Sequence, residues 1–335
     1  MKFTQEMFNH YQSKGMPPAI QGVPLTDQTI VITGANTGLG FEAAKHFALR
    51  DPGKLILVCR NEERGRDAVE RVKLETGFTG IEFWTSDLGS FESVLSVKEK
   101  IDALERLDVL VENAGVAMGG YERTRDGWEN TLQINVLSPA LRIILHLPKL
   151  IETARKHPET VPRIVYVSSA AHFLQTISTE AIGAPNTLRV VNEDRESAED
   201  GTSLKRYGES KLLAQSFMRA LQPHLPTVTC CSVAPGFCDS ELRRNLPSSG
   251  TPARKTLAYT SEEGSRQLLY AAIGERDRED QIRGSYLMYN EISECSDFLL
   301  GEEGKKLETK LWKEILEVVG SVDGEVKEVA EKYLT

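Results

Sequence analysis

Cysteine is scarce in this 335-residue chain: Cys59, Cys230, Cys231, Cys238 and Cys295 are five in all. Thiols this few and this irregularly spaced do not make a disulfide scaffold at such a length. Cys230 and Cys231 are neighbours in an apolar run, where a buried packing role is expected. No Cys-x-x-Cys pair and no His-Glu-x-x-His occurs, so no protein-bound metal is expected. A strongly basic tract is missing too. With 40 Lys and Arg against 49 Asp and Glu the formal net charge is −9, which argues against nucleic acid or an anionic membrane surface as partner. Segment 1–22 lacks the apolar centre of a signal peptide, and no stretch approaches the roughly 20 apolar residues of a membrane span. Together these absences lead us to expect a reducing, cytoplasmic address.

What remains, 40% hydrophobic and 27% charged residues, has the balance of an ordinary globular protein. From Thr29 onward, short apolar runs alternate with amphipathic stretches. The runs are 29–33, 54–59, 81–88, 107–115, 163–169, 227–236 and 285–290, rich in Val, Ile and Leu and mostly continuous, as parallel strands covered on both faces are. Helix-like stretches at 38–50, 62–75, 90–105, 127–147, 207–221 and 261–274 separate them. This rhythm predicts an α/β fold with a doubly wound parallel sheet of about seven strands. We expect a leader over 1–26, one dinucleotide-binding and catalytic domain over 27–295, and a helical extension over 296–335. Within the domain, 170–206 is a long connection whose acidic end, 192–203, reads as a solvated loop. Apolar residues at Leu307, Leu311, Ile315, Val318 and Val319 give the extension an amphipathic helix that packs on its own domain.

Immediately after the first strand comes Thr33-Gly34-Ala35-Asn36-Thr37-Gly38-Leu39-Gly40, then a helical stretch. Glycines permit a tight turn there and let backbone N–H groups approach a diphosphate at the positive end of the following helix. A strand before and a helix after are the context such a turn requires. The second strand ends Cys59-Arg60-Asn61, with no carboxylate to hold the ribose 2′-hydroxyl of NAD. The planar guanidinium of Arg60 suits a 2′-phosphate instead, so NADP(H) is expected in preference to NAD(H).

Tyr207-Gly208-Glu209-Ser210-Lys211 places a phenol and an ammonium four residues apart, on one face of a helix. A neighbouring ammonium favours ionised phenol, and the pair can then move a proton to or from an oxygen undergoing hydride chemistry. With nine tyrosines in the chain, that spacing alone is weak.

The motifs in order are TGxxxGxG after the first strand, Asn113-Ala114-Gly115 after the fourth, Ser168-Ser169 after the fifth, then YxxxK, then Pro235-Gly236 after the sixth. In this the chain resembles the short-chain dehydrogenase/reductase family over about residues 27–290, in its single-domain branch. The VSSAAH run, the Cys-Arg strand end and the late insertion look most similar to retinol-dehydrogenase-like and fungal reductase members. The resemblance implies a Rossmann fold and a catalytic tetrad. Tyr207 would be the general acid in reduction and general base in oxidation. Lys211 would bind the nicotinamide ribose and lower the phenol's pKa, Ser169 would hold the substrate oxygen, and Asn135 would help hold a water linking Lys211 to solvent. It also implies that Gly34, Asn36, Thr37, Gly38, Leu39 and Gly40 cradle the diphosphate. Asp87 and Leu88 would flank the adenine, and Asn113, Ala114 and Gly115 would line the cofactor near its ribose. Pro235, Gly236, Phe237 and Ser240, the last where a Thr is usual, would meet the nicotinamide carboxamide.

Other readings stay open at this point. Asn135 could be a polar helix residue, Ser168 the catalytic serine, and Asp87 a helix N-cap. Glu112 stands where many members have a second Asn, and Cys238 where an apolar residue is more usual. The 38 positions from Ser169 to Tyr207 exceed the family's usual spacing, so 170–206 is expected to rebuild the substrate pocket or its rim. His172, Phe173, Phe237 and the loop 241–258 are candidate pocket walls. The expected activity is interconversion of a carbonyl and an alcohol on a small, apolar molecule. Reduction of a C=C or C=N bond, or a non-catalytic NADP-sensing or scaffold role, are the alternatives. The small-molecule substrate is the expected partner, and a homo-oligomer is left open.

Overall fold

The computed structural model describes residues 2, 4–199, 204–243 and 257–334. Its centre is an eight-stranded sheet in the order β3-β2-β1-β4-β5-β6-β7-β8. The strands are β1 (Thr29–Thr33), β2 (Lys54–Cys59), β3 (Ile81–Thr85), β4 (Val109–Glu112), β5 (Arg163–Val167), β6 (Thr229–Ala234), β7 (Tyr286–Met288) and β8 (Glu291–Ser293). All adjacent pairs are parallel except β7–β8, which is antiparallel. The doubly wound α/β fold is as expected from the sequence, with this short eighth strand added at the edge.

Eight longer helices stand among the described residues: α1 (Gln5–Lys14), α2 (Gly38–Ala48), α3 (Glu62–Thr76), α4 (Ser138–Lys156), α5 (Leu204–Leu221), α6 (Ser261–Ile273), α7 (Glu302–Gly320) and α8 (Gly324–Tyr333). Alternation along each strand sends its side chains into two cores. Ile30 and Ile32 of β1 pack with α2, α3 and α6 on one face. Val31 packs with α4 and α5 on the other, where α7 and α8 add a further layer. Helix caps fix the turns that carry function: Asn61 caps α3 by accepting from the Arg64 N–H at 2.9 Å, so the chain turns sharply right after Arg60.

Two stretches depart from the sequence reading. The expected helix over 90–105 is broken into Phe91–Leu95 and Lys98–Asp102. Segment 127–147 starts late, with a short helical turn Asn130–Leu132 and a π-helical turn Gln133–Leu137 that runs into α4. The helical run 130–156 is apolar and long enough to pass for a membrane span, but 78% of that window is buried inside the fold as core.

The connection 170–199 is helical, not a solvated loop: a 3-10 turn Ala170–Leu174 precedes short helices at Thr179–Gly183, Thr187–Glu193 and Arg195–Ala198. Its polar residues Asn192 and Ser197 are buried because partners were provided. Asn192 Oδ1 accepts from the Glu129 N–H at 2.7 Å, and the Ser197 hydroxyl donates to Asp194 at 2.6 Å. Arg206, buried at the start of α5, donates to the carbonyls of Val191 and Asp194, each at 2.7 Å. Residues 200–203 of the acidic run lie outside the described residues.

Candidate active site

The order of strands reverses between β1 and β4, and a sheet wound in both directions from that point opens a crevice beyond its strand ends. A cavity of about 450 Å³ occupies it. The turn Gly34–Gly38 forms one side, with Asn36, Thr37, Gly38 and Leu39 in its wall. Gly34 and Gly38 both have left-handed backbones, at φ +64° and +58°. Gly40 lies behind the wall, where a Cβ would come within 2.5 Å of both Asn113 Nδ2 and the Gly34 carbonyl. Asn113 is the reason: its Nδ2 donates to the Thr33 carbonyl at 2.8 Å and stitches the end of β4 to the turn. The Thr33 hydroxyl oxygen accepts from the backbone N–H groups of Asn113 and Ala114, each at 2.9 Å.

The opposite side is built on α5. Tyr207 and Lys211, one turn apart, are both buried, and both line the cavity together with Ser168 and Ser169. Gly208, between them, makes the approach possible. A Cβ there would meet the Ala171 carbonyl at 2.9 Å and the Gln175 side chain at 2.6 Å. The 3-10 turn that Ser169 caps can therefore press directly onto the face of α5 that carries Tyr207 and Lys211.

Among the described residues no carboxylate stands beside Lys211. Its Nζ donates to the Val167 carbonyl at 2.7 Å and to the Tyr166 hydroxyl at 3.2 Å, and burial pushes its pKa down to about 7. Tyr166 in turn donates to the Asn135 carbonyl at 2.7 Å. Asn135 sits in the π-helical turn, a distortion that often marks functional positions. Its amide both accepts from and donates to the Val116 backbone at 2.9 Å, and donates to the Ser210 hydroxyl at 2.9 Å.

Comparison with known proteins decides the family. A short chain dehydrogenase family model matches residues 28–184, which ends before Tyr207. A short chain dehydrogenase/reductase of Cryptosporiopsis is 33% identical over 303 residues, covering 88% of this chain and 91% of that protein. A short chain dehydrogenase of Emericella nidulans is 35% identical over 272 residues, 78% of this chain and 83% of its own. This chain belongs to the short-chain dehydrogenase/reductase family. Among solved structures, salutaridine reductase from Papaver somniferum superposes with a TM-score of 0.58 at 22% identity, over 77% of this chain and 99% of its own. A short-chain dehydrogenase of Sphingobium yanoikuyae, solved with NADPH, gives 0.53 at 21% identity, over 73% and 84%. At those identities the likeness is one of fold.

In this short-chain dehydrogenase/reductase the remaining expected cofactor residues fall largely around one cavity. Arg60, Asp87, Leu88, Asn113, Ala114, Gly115, Pro235, Gly236, Phe237 and Ser240 all stand in its wall. Asp87 is not a helix cap: Ser90 caps the following helix, while Asp87 accepts from the Gly89 N–H at 2.9 Å. Asn135 lies behind the wall, and its carbonyl accepts from the Tyr166 hydroxyl at 2.7 Å. His172 and Phe173 are not pocket walls. Their rings pack with Tyr286, at 4.9 and 5.7 Å between centroids, and burial pushes the His172 pKa down to about 4. Most of the loop 241–258 lies outside the described residues; Glu241 and Leu242 do line the cavity. Cys238 donates to the Pro235 carbonyl at 3.2 Å, and burial pushes its thiol up to about 12.

Glu112, at the position of the usual second Asn, is buried under the cavity floor. Burial pushes its carboxyl up to about 7, and its partners are Arg142 Nε at 3.5 Å and the Thr33 hydroxyl at 3.3 Å. Sequence reasoning also missed Arg64, Met288 and Tyr289, and above all Phe8 and Gln12 of α1, which line the same cavity. For Tyr166 a signal existed: it is a polar-tipped side chain on the otherwise apolar face of β5 that meets α5.

Proposed function

We propose that this short-chain dehydrogenase/reductase uses NADP(H) to interconvert a carbonyl and an alcohol on a small apolar molecule, with Tyr207 as general acid and base. The observation that carries the reading is the shared wall. The glycine turn, Ser169, Tyr207 and Lys211 all face one cavity, so a diphosphate on the turn and a reacting oxygen beside the phenol fit in a single chamber. The residues suit the cofactor: Gly34 and Gly38 hold a tight turn with left-handed backbones in the cavity wall, and the ribose end offers Arg60 and Arg64 with no carboxylate at the end of β2. Bound there, a nicotinamide dinucleotide supplies or accepts the hydride.

The chain's own residues supply the rest. Ser169 would hold the substrate oxygen, and Tyr207 would give it a proton in reduction or take one in oxidation. Lys211, held by Val167 and Tyr166, would stabilise the phenolate during that transfer. The apolar side chains of Val116, Leu174, Leu204 and Met288 favour an uncharged substrate. The α7–α8 layer covers the outer faces of α4 and α5, so an oligomer, if formed, would use other surfaces.

The test is loss of NADPH absorbance against a panel of aldehydes and ketones, beside NADH and beside Tyr207→Phe. Turnover stronger with NADPH and lost in the variant is the expected outcome. Turnover that survives Tyr207→Phe at full rate would overturn the assignment.

A further inference from the structure

The helix α1 lies outside the family match and far from the site in sequence, yet one of its faces is part of the site. Phe8, Tyr11 and Gln12 share that face, at spacings of three and four residues. Gln12 is buried, 7% exposed, and every polar position on its amide is used. Its Nε2 donates to the carbonyls of Phe237 at 3.1 Å and Leu257 at 2.7 Å. Its Oε1 accepts from the Phe237 N–H and from the Tyr289 hydroxyl, each at 3.0 Å. A turn earlier, Phe8 meets the Phe237 ring edge-on at 6.0 Å. Between them, Tyr11 stacks on Tyr289 at 4.5 Å and 8°, and its carbonyl accepts from the Tyr259 hydroxyl.

One side chain thus holds both the N–H and the C=O of Phe237, fixing the peptide planes on either side of it. Those planes follow Pro235 and Gly236 directly, and Gly236 has a left-handed backbone at φ +79°. An unpaired buried amide at this position would cost too much to be incidental. We propose that α1 is a wall of the substrate chamber: Phe8 is a specificity-determining contact for an uncharged, ring-bearing carbonyl compound, and Gln12 is a positioning residue that sets Phe237. The aromatic character follows from the walls, since Phe8 and Phe237 present two rings at an angle to the same cavity. This rests on the carbonyl reading above for the substrate's reactive group, but not for the role of Gln12.

The experiment uses the full chain with Phe8→Ala, Gln12→Ala and, as a control on the exposed face of α1, Gln5→Ala. The ratio of kcat/KM for acetophenone over 2-butanone is expected to fall about tenfold in Phe8→Ala, since the ring loses its apolar wall. Hydrogen exchange at the Phe237 amide is expected to speed up about tenfold or more in Gln12→Ala, the effect of one lost hydrogen bond. Gln5→Ala should change neither readout. An unaltered ratio in Phe8→Ala overturns the specificity role, and unaltered exchange in Gln12→Ala overturns the positioning role. If the wild type reduces neither ketone, the carbonyl reading fails on its own. Calorimetric binding of acetophenone to the NADP-saturated protein then replaces the ratio, and weakening in Phe8→Ala supports the wall while no change refutes it.

Discussion

Replacing Lys211 by Met should make the protein's stability less dependent on pH, and the size of the effect follows from the burial of the ammonium. The lysine sits 3% exposed, its Nζ donating to a carbonyl and a phenol, and burial lowers its pKa from the ordinary 10.5 to about 7. The unfolded chain keeps the ordinary value. Between the two values the unfolded state binds the extra proton, so stability rises with pH across that window. The cost of holding the lysine is therefore fully present below about pH 7 and fades as the pH climbs toward the unfolded value. Each pH unit well inside the window is worth about 1.4 kcal/mol. Because the folded lysine is half titrated at the start, the gain from pH 7 to pH 9 is about 2 kcal/mol. Urea denaturation of wild type and Lys211→Met at those two pH values isolates this quantity, since the other titrating groups are common to both proteins. Wild type should gain about 2 kcal/mol relative to the variant. Parallel pH dependences would mean that the buried site does not depress this lysine, and the argument would fail. The variant should also lose turnover, so stability and activity would part company at one side chain.

Two further outcomes follow from buried partners. Tyr166→Phe leaves the Asn135 carbonyl without its donor and removes a hydrogen-bond acceptor from Lys211, so it should cost about 1–3 kcal/mol in chemical denaturation. It should also move the alkaline limb of the kcat/KM pH profile to lower pH, because a less well-held ammonium deprotonates sooner. Arg206→Met removes the cation that ties the 187–199 segment to α5 and leaves Glu129 buried without it at 3.7 Å. A loss of about 3–5 kcal/mol by urea titration is expected; a loss under about 1 kcal/mol would show that the segment does not depend on it.

Much of this molecule can be read from the chain because its signals are local. The glycine turn, the strand ends and the Tyr207–Lys211 helix each declare themselves within ten residues, and each lies where its pattern places it. What escaped notice depends on distance or on satisfied polarity. Gln12 acts on a residue 225 positions away, and no local pattern marks an exposed-looking amphipathic leader as a pocket wall. The run 192–199 looks solvated because it is polar, yet the Glu129 N–H pairs with Asn192 and the carboxylates of Asp194 and Glu209 with the Ser197 hydroxyl, so both go inside. His172 and Phe173 follow the serine pair and invite a place in the pocket. The 3-10 turn instead rotates them onto Tyr286, away from it. The bond from Tyr166 to the Asn135 carbonyl escaped for a different reason: the family pattern says nothing about the side chain three residues before Ser169, and here that side chain is a phenol.

The layer of α7 and α8 gives the site a thermodynamic character that its own residues do not reveal. Trp312 of α7 stacks on Phe217 and His224, at 5.6 and 4.8 Å, against the back of the helix whose front carries Tyr207. Most of that helix is buried, so it opens only together with much of the fold around it, and its amides are expected among the slower-exchanging ones. The phenol and the ammonium are thereby coupled to the cooperative unit of the fold, and Trp312 fluorescence reports from the far side of the same unit. Damage to the C-terminal helices would then be felt at Tyr207 and Lys211.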